Sequence, residues 1–330
     1  MKFKKLSAWL LAIVMCFMLT ACQSDKSNLE TDETEKITTD SDDEKNSSAT
    51  PLLYRITDND GNTVWLFGSI HIGRKDYYPL PSYVTNAYDS ADTLAVEADI
   101  VAFEKDTNLL MQAITNFIYT DSSTIKDHIP QELYNKAVEI LKEYNSYVPE
   151  MDYYCPAFWS STIESLLLEE FDGDVNLGID RHLINKAYKS DKEIEEIESV
   201  DFQYKMMSEF SDDIQIMLLK ISVGMYEDKK ASSDDLEKMM DLWADGDEAA
   251  FKAYLEKTDE NMTPEEKELY KEYQQAMISD RNLTMADYAE SALSSGKTVF
   301  ICVGSAHIIG EGAMADLLSE RGYKVECITQ

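Results

Sequence analysis

The chain has 330 residues, with 63 acidic against 30 basic side chains and a formal net charge of −33. A surface of that sign repels nucleic-acid phosphates and favours cations or basic substrates, which argues against a nucleic-acid partner; the same acidity also serves solubility alone and selects no function. The five cysteines include no Cys-X-X-Cys spacing, so a zinc ribbon is excluded.

Lys2, Lys4 and Lys5 precede an apolar run over 6–19 broken only by Ser7, and Leu19-Thr20-Ala21-Cys22 follows. The run falls short of the roughly 20 residues that span a bilayer, and small residues precede the cysteine where a peptidase would cut. Residues 1–22 read as a signal peptide, and Leu-Thr-Ala-Cys resembles the bacterial lipobox, in which Cys22 is lipidated and becomes the mature N-terminus. The expected location is the cell membrane, lipid-anchored and facing outside the cytoplasm; a secreted protein in which Cys22 is incidental is the alternative. Losing the three leader lysines takes the charge from −33 to −36. Residues 23–50 are mostly Ser, Thr, Asp, Glu and Lys and cannot bury enough surface to offset the entropy of ordering, so they read as a disordered acidic tether. That leaves 51–330 for one α/β domain.

Within it, apolar and β-branched runs at 52–57 and 63–67 flank Asp58-Asn59-Asp60-Gly61-Asn62 and predict a hairpin. Strands follow at 93–98 and 193–200, then at 298–303 and 323–328. Helical periodicity covers 106–120, 131–144, 156–171, 177–190, 202–226, 233–244, 247–257 and 264–294. Strands at both ends with helices between them predict a mixed, mainly parallel central sheet with a large helical insertion. Cys302 and Cys327 lie on strand-like runs and could pair if those strands were neighbours; free thiols are the simpler expectation.

One internal echo stands out. Two apolar strands, 63–67 and 298–303, run straight into Gly68-Ser69-Ile70-His71 and Gly304-Ser305-Ala306-His307, which take up two of the four histidines. Glycine permits a sharp exit from a strand, and the histidine then falls beyond the carboxyl end, where α/β sheets bind ligands. Glu97 near the end of the 93–98 strand is a carboxylate whose burial requires a partner or a cation. Two imidazoles and one carboxylate could hold a transition metal or perform acid/base work, or the turns could be purely structural.

Further motifs carry a resemblance. Phe67-Gly68-Ser69-Ile70-His71-Ile72-Gly73, Tyr78-Pro79-Leu80-Pro81 and Val96-Glu97-Ala98-Asp99 form a first block. Gly178-Ile179-Asp180, Ala187, Ile197-Glu198 and Gln203 form a second. Arg281-Asn282, Val303-Gly304-Ser305-Ala306-His307-Ile308-Ile309-Gly310, Leu317-Leu318 and Arg321-Gly322-Tyr323 form a third. Together they resemble the TraB/GumN (PrgY) family, which is related to the Tiki metalloproteases and distantly to the erythromycin-esterase-like fold. The resemblance implies a divalent metal on His71, Glu97 and His307, with Mn or Co favoured and Zn or Fe possible. It also implies a peptide or protein substrate outside the cytoplasm. Gly310-Glu311-Gly312 departs from the family spacing by one residue, which bears on where the next helix starts.

Arg281 could orient a substrate carboxylate or hold Glu97, or it could be a surface ion pair; Asn282 could fix a histidine tautomer or bond substrate. Ser69 and Ser305 read as turn or substrate-contact residues, because no Gly-X-Ser-X-Gly elbow supports a nucleophile. His128 and His182 read as cap or packing residues. The leading expectation is a lipid-anchored, metal-dependent hydrolase, a peptidase. Peptide capture without cleavage at the same pocket is the alternative, and metal-free hydrolysis by histidine and glutamate is a third reading.

Overall fold

Asp58 shapes the first hairpin. Its carboxylate accepts from the backbone N–H groups of Asp60 (2.9 Å) and Asn62 (2.8 Å), and Gly61 supplies the positive φ of +89° that the reversal needs. The turn joins β1 (Leu53–Thr57) to β2 (Thr63–Ser69). The computed structural model describes residues 48–257 and 262–329; the predicted leader, Cys22 and nearly all of the predicted tether lie outside the described residues. The last tether residues, Ala49 and Thr50, are already packed: Ala49 is buried, and the Thr50 N–H donates to the Ala244 carbonyl at 2.6 Å.

From the hairpin the chain runs through α1 (Ser82–Ser90), β3 (Thr93–Val96), α2 (Ile100–Lys105), α3 (Thr107–Thr115), α4 (Ile125–His128), α5 (Gln131–Glu143), α6 (Pro156–Leu168) and α7 (Ile179–Ser190). It continues through β4 (Glu193–Glu196), α8 (Val200–Ser208), α9 (Asp212–Glu227), α10 (Lys229–Asp245), α11 (Glu248–Leu255) and α12 (Pro264–Gln274). A π turn, Gln275–Ser279, joins α12 without a break to α13 (Asp280–Ser295); β5 (Val299–Gly304), α14 (Ser305–Ile308), α15 (Met314–Glu320) and β6 (Lys324–Ile328) complete the order.

The six strands form one sheet in the order β4-β3-β5-β2-β1-β6. β4, β3, β5 and β2 pair in parallel, and β1 runs antiparallel to both β2 and β6. The sheet is therefore mixed and mainly parallel, as the element pattern predicts. The near-continuous apolar runs of β3 and β5 are explained by position: both are buried along their length in the middle of the sheet, covered on two faces. The acidic strand β4 lies at the edge, half exposed. Cys302 and Cys327 sit on β5 and β6, which are separated by β2 and β1; both thiols are free.

Several element boundaries differ from the sequence reading. β3 ends at Val96, so Glu97 lies one residue past the strand. The 202–226 helix is two helices, because Ser211 caps α9 by accepting from the Ile214 N–H. Helix 106–120 stops at Thr115, and α1 and α2 were not predicted; each is short enough that periodicity gives little signal. The 264–294 helix is continuous but carries the π turn.

The helical layer contains an uncompensated carboxyl. Glu164 on α6 is buried and meets only the hydroxyls of Ser160 (3.4 Å) and Ser222 (2.5 Å), with no cation paired to it among the described residues. Burial pushes its acid up from 4.5 to about 7. Because the folded-state value is raised above the unfolded one, the associated stability is complete below pH 4.5 and is lost as pH rises through about 7. Glu164→Gln removes that dependence. Its advantage over wild type in denaturant unfolding should grow between about pH 4.5 and pH 8, to on the order of 3 kcal/mol. A difference that stays flat with pH would count against a buried neutral acid.

Candidate active site

The carboxyl ends of β2, β5 and β3 are adjacent. Ser69 is level with Gly304, and Val96 is level with Cys302. His71, Glu97 and the one-turn helix that carries His307 therefore leave the sheet side by side, on the side where such sheets bind ligands. His71, Glu97, His307, Arg281, Ser69 and Ser305 all line one cavity of about 50 Å³.

The two Gly-Ser turns interlock. The Ser305 hydroxyl donates to the Ser69 carbonyl at 2.9 Å, and a Cβ on Gly68 would lie 2.8 Å from Ser305 Oγ and 3.0 Å from its Cα. Only glycine admits that approach. From the helical layer, Trp243 Nε1 donates to the Gly68 carbonyl at 2.8 Å. Neither serine hydroxyl is hydrogen-bonded to a histidine, so no nucleophile–base pair forms here; Ser69 Oγ is buried beside the Cys302 thiol.

His71 is fixed by the segment before α7. Gly73 and Asp174 exchange backbone hydrogen bonds of 3.1 and 3.0 Å, and the Ile179 N–H donates to the Ile70 carbonyl at 2.9 Å. A Cβ on Gly178 would come within 2.6 Å of the His71 carbonyl oxygen, which explains the glycine there. This clamp brings Asp180, 6% exposed, to 2.5 Å from His71 Nδ1. Burial opposes protonation of the imidazole, but the Asp180 carboxylate outweighs it and raises the pKa. Asp180 is the site residue whose role the sequence reading missed, although Gly178-Ile179-Asp180 stood among the motifs.

His307 is held differently. Asn282 Nδ2 donates to the Gly312 carbonyl at 3.0 Å, which leaves Asn282 Oδ1 facing His307 Nδ1 at 2.7 Å. That oxygen can only accept, so Nδ1 carries the proton and Nε2 has a free lone pair. Burial, assisted by Arg281, pushes this imidazole down to about 3, so it is neutral at physiological pH.

Glu97 is the most constrained of the three. Oε1 accepts the Gly304 N–H at 2.6 Å; Oε2 accepts from Arg281 at 2.5 Å and from Gln203 Nε2 at 3.2 Å. Burial alone would raise its pKa, yet Arg281 and the two imidazoles hold the carboxyl well below the usual carboxylate range. Arg281 is only 3% exposed and also binds Glu198 through Nε (2.8 Å) and Nη2 (2.7 Å), while Nη1 donates to the Met277 carbonyl of the π turn at 2.9 Å. It is a buried hub, not a surface ion pair. His182 packs at a tilt against Tyr78, with ring centroids 4.4 Å apart, and His128 stacks on Tyr119 at 4.1 Å; neither lines the cavity.

Borderline divalent ions take imidazole nitrogen and carboxylate oxygen, and their histidines usually give the second nitrogen to an acceptor. His71 with Asp180 and His307 with Asn282 have that form, so the donor set fits such an ion in kind and orientation. The donors are not drawn together into a finished cage. Among the described residues no three His, Cys, Asp or Glu side chains converge as a metal site, and His307 Nε2 stands 3.9 Å from Glu97 Oε1.

The chain belongs to the TraB/PrgY/gumN family, whose model matches residues 52–327. It is similar to the uncharacterized protein YbaP of Escherichia coli (strain K12), with 24% identity over 257 residues that cover 77% of this chain and 86% of that protein. YbaP of Shigella flexneri matches with the same identity and coverage. No solved structure matches.

The hub gives a prediction about stability. Arg281→Met strands Glu97 and Glu198 as buried, unpaired carboxylates and should destabilise the fold by roughly 3–5 kcal/mol in denaturant unfolding. Adding Glu97→Gln and Glu198→Gln should recover most of that loss; no recovery would mean that packing, not charge, accounts for the cost. A second prediction concerns His71: in Asp180→Asn its imidazole, followed by NMR titration, should lose its proton at lower pH than in wild type.

Proposed function

We propose that this member of the TraB/PrgY/gumN family is a hydrolase, a peptidase that acts on a peptide or protein outside the cytoplasm and is anchored to the cell membrane through lipid on Cys22. The observation that carries the reading is the pairing of two imidazoles, each fixed through Nδ1 by a buried acceptor, over one cavity with a carboxylate kept ionised. That arrangement presents Nε2 of His71, Nε2 of His307 and Oε1 of Glu97 as the groups available to a ligand.

His71, Glu97 and His307 would hold a divalent ion, Mn or Co by family resemblance and Zn or Fe by donor type. When bound, such an ion supplies Lewis acidity and a water that ionises near neutral pH. The chain's own residues do the rest. Arg281 keeps Glu97 anionic, Asn282 keeps the His307 lone pair turned toward the ligand, and Asp180 orients His71 and raises the basicity of its Nε2. The apolar residues Phe251, Leu255 and Met277 line the same cavity and limit the water that reaches it.

One observation favours a metal-free variant of the same chemistry: the 2.5 Å contact of Asp180 with His71 makes that imidazole a competent general base. Capture without cleavage would use the same cavity.

Metal analysis of the purified protein together with a cleavage assay on a synthetic peptide library separates these readings. The expected result is about one Mn, Co, Fe or Zn per chain in wild type, lost in His307→Ala, with hydrolysis abolished by chelation and restored by that metal. Hydrolysis that survives exhaustive chelation would replace the metal reading with the His71–Asp180 base. Peptide recovered intact from a stable complex would leave only capture.

A further inference from the structure

The catalytic cavity is too small for a peptide, but it does not end at its own walls. Leu255, Gln274, Ile278 and Ala306 line both the 50 Å³ cavity and a neighbouring groove of about 610 Å³, within the size range of ligand clefts. The inner space takes the reacting group, and the outer one has room for the chain on either side of it.

One wall of the groove is a single helical path. Lys267, Tyr270, Lys271, Gln274 and Ile278 all line it, spaced to share one face of α12 and the π turn, and the path continues to Asn282 beside Arg281. The outer end of this row carries two exposed ammonium groups, and its inner end meets the site. In a chain with 63 acidic and 30 basic side chains, the row itself carries no carboxylate. Glu256, Glu268 and Glu311 also line the groove, yet neither Lys267 nor Lys271 forms an ion pair among the described residues, whereas Lys252 and Lys220 nearby do.

From Lys271 to Arg281 is about 15 Å, and from Lys267 about 21 Å, at 1.5 Å per helical residue. An extended peptide covers those lengths in about four to six residues. We propose that the groove receives an extended peptide segment, with Lys267 and Lys271 binding an acidic side chain or terminal carboxylate about four to six residues from the bond held at His71, Glu97 and His307. The overall acidity of the protein then disfavours peptides that are acidic elsewhere, and the lysine row selects for where the charge lies. This deepens the peptidase reading and rests on it only for the presence of a scissile bond; the binding preference stands by itself.

The test uses the full chain and two fluorescein-labelled synthetic decapeptides identical except for Glu against Gln at two adjacent positions near one end, with binding followed by anisotropy at low salt. The Glu peptide should bind about tenfold more tightly, and the preference should vanish in Lys267→Gln/Lys271→Gln and fall with added salt. Equal affinities, binding of neither peptide, or a preference unchanged in the double variant would each overturn the proposal. Mass spectrometry of the same mixtures separates the two readings. Cleavage about four to six residues from the glutamates supports both, cleavage at positions unrelated to them overturns the spacing, and tight but intact Glu peptide supports the groove while removing the peptidase.

Discussion

The buried guanidinium of Arg281 is the interaction on which the site's geometry depends. It joins α13 to the segment after β3 through Glu97 and to the segment after β4 through Glu198, two loops that also meet where the Glu198 N–H donates to the Glu97 carbonyl at 2.8 Å. Three charges taken out of water are tolerable only if their hydrogen bonds are complete. Gln203 bridges both carboxylates, the Gly304 N–H takes the remaining Glu97 oxygen, and the Met277 carbonyl accepts from Nη1 of the guanidinium. The network fixes Glu97 as an anion at the cavity, and it sets the height at which α13 crosses the sheet, which places Asn282 beside His307.

The same logic of close approach governs the two turns. Parallel pairing of β2 with β5 sets the two turns one residue out of step, with Ser69 level with Gly304, so that a Cβ on Gly68 would lie 2.8 Å from Ser305 Oγ and a Cβ on Gly304 would lie 3.3 Å from Glu97 Oε1. A side chain at either glycine would push the strands apart or displace the carboxylate. The glycine of each Gly-Ser-X-His turn therefore serves packing, the Ser305 hydroxyl and the Ser69 carbonyl tie the turns together, and the histidines line the cavity.

Much of this was legible in sequence because apolar strands that end in a repeated tetrapeptide state both the element and its exit. His71, His307 and Glu97 fall together as that pattern predicts, and the mainly parallel sheet agrees with the strand and helix order. What could not be read were contacts made across sequence distance. Asp180 lies 109 positions from His71, and nothing in either local pattern shows that Gly73 and Asp174 pair to bring them together. Glu198 follows an acidic run on an edge strand, and its burial rests on Arg281 and Gln203, which the local pattern does not show. The break before α9 was hidden because apolar spacing continues through a Ser cap.

The echo between the two turns suggests equivalent histidines, and the partners make them unlike. Asp180 is a carboxylate, so the imidazole it holds gains by becoming charged; Asn282 is an amide locked by Gly312, so the imidazole it holds gains by staying neutral, and Arg281 close by enforces that. Both fix the Nδ1 proton, and both turn Nε2 to the cavity as a lone pair when neutral. They diverge once a ligand withdraws electron density or delivers a proton: His71 can accept positive charge within the site and His307 cannot. A repeated motif has thus been divided by its surroundings into one imidazole whose protonation is favoured and one whose protonation is opposed.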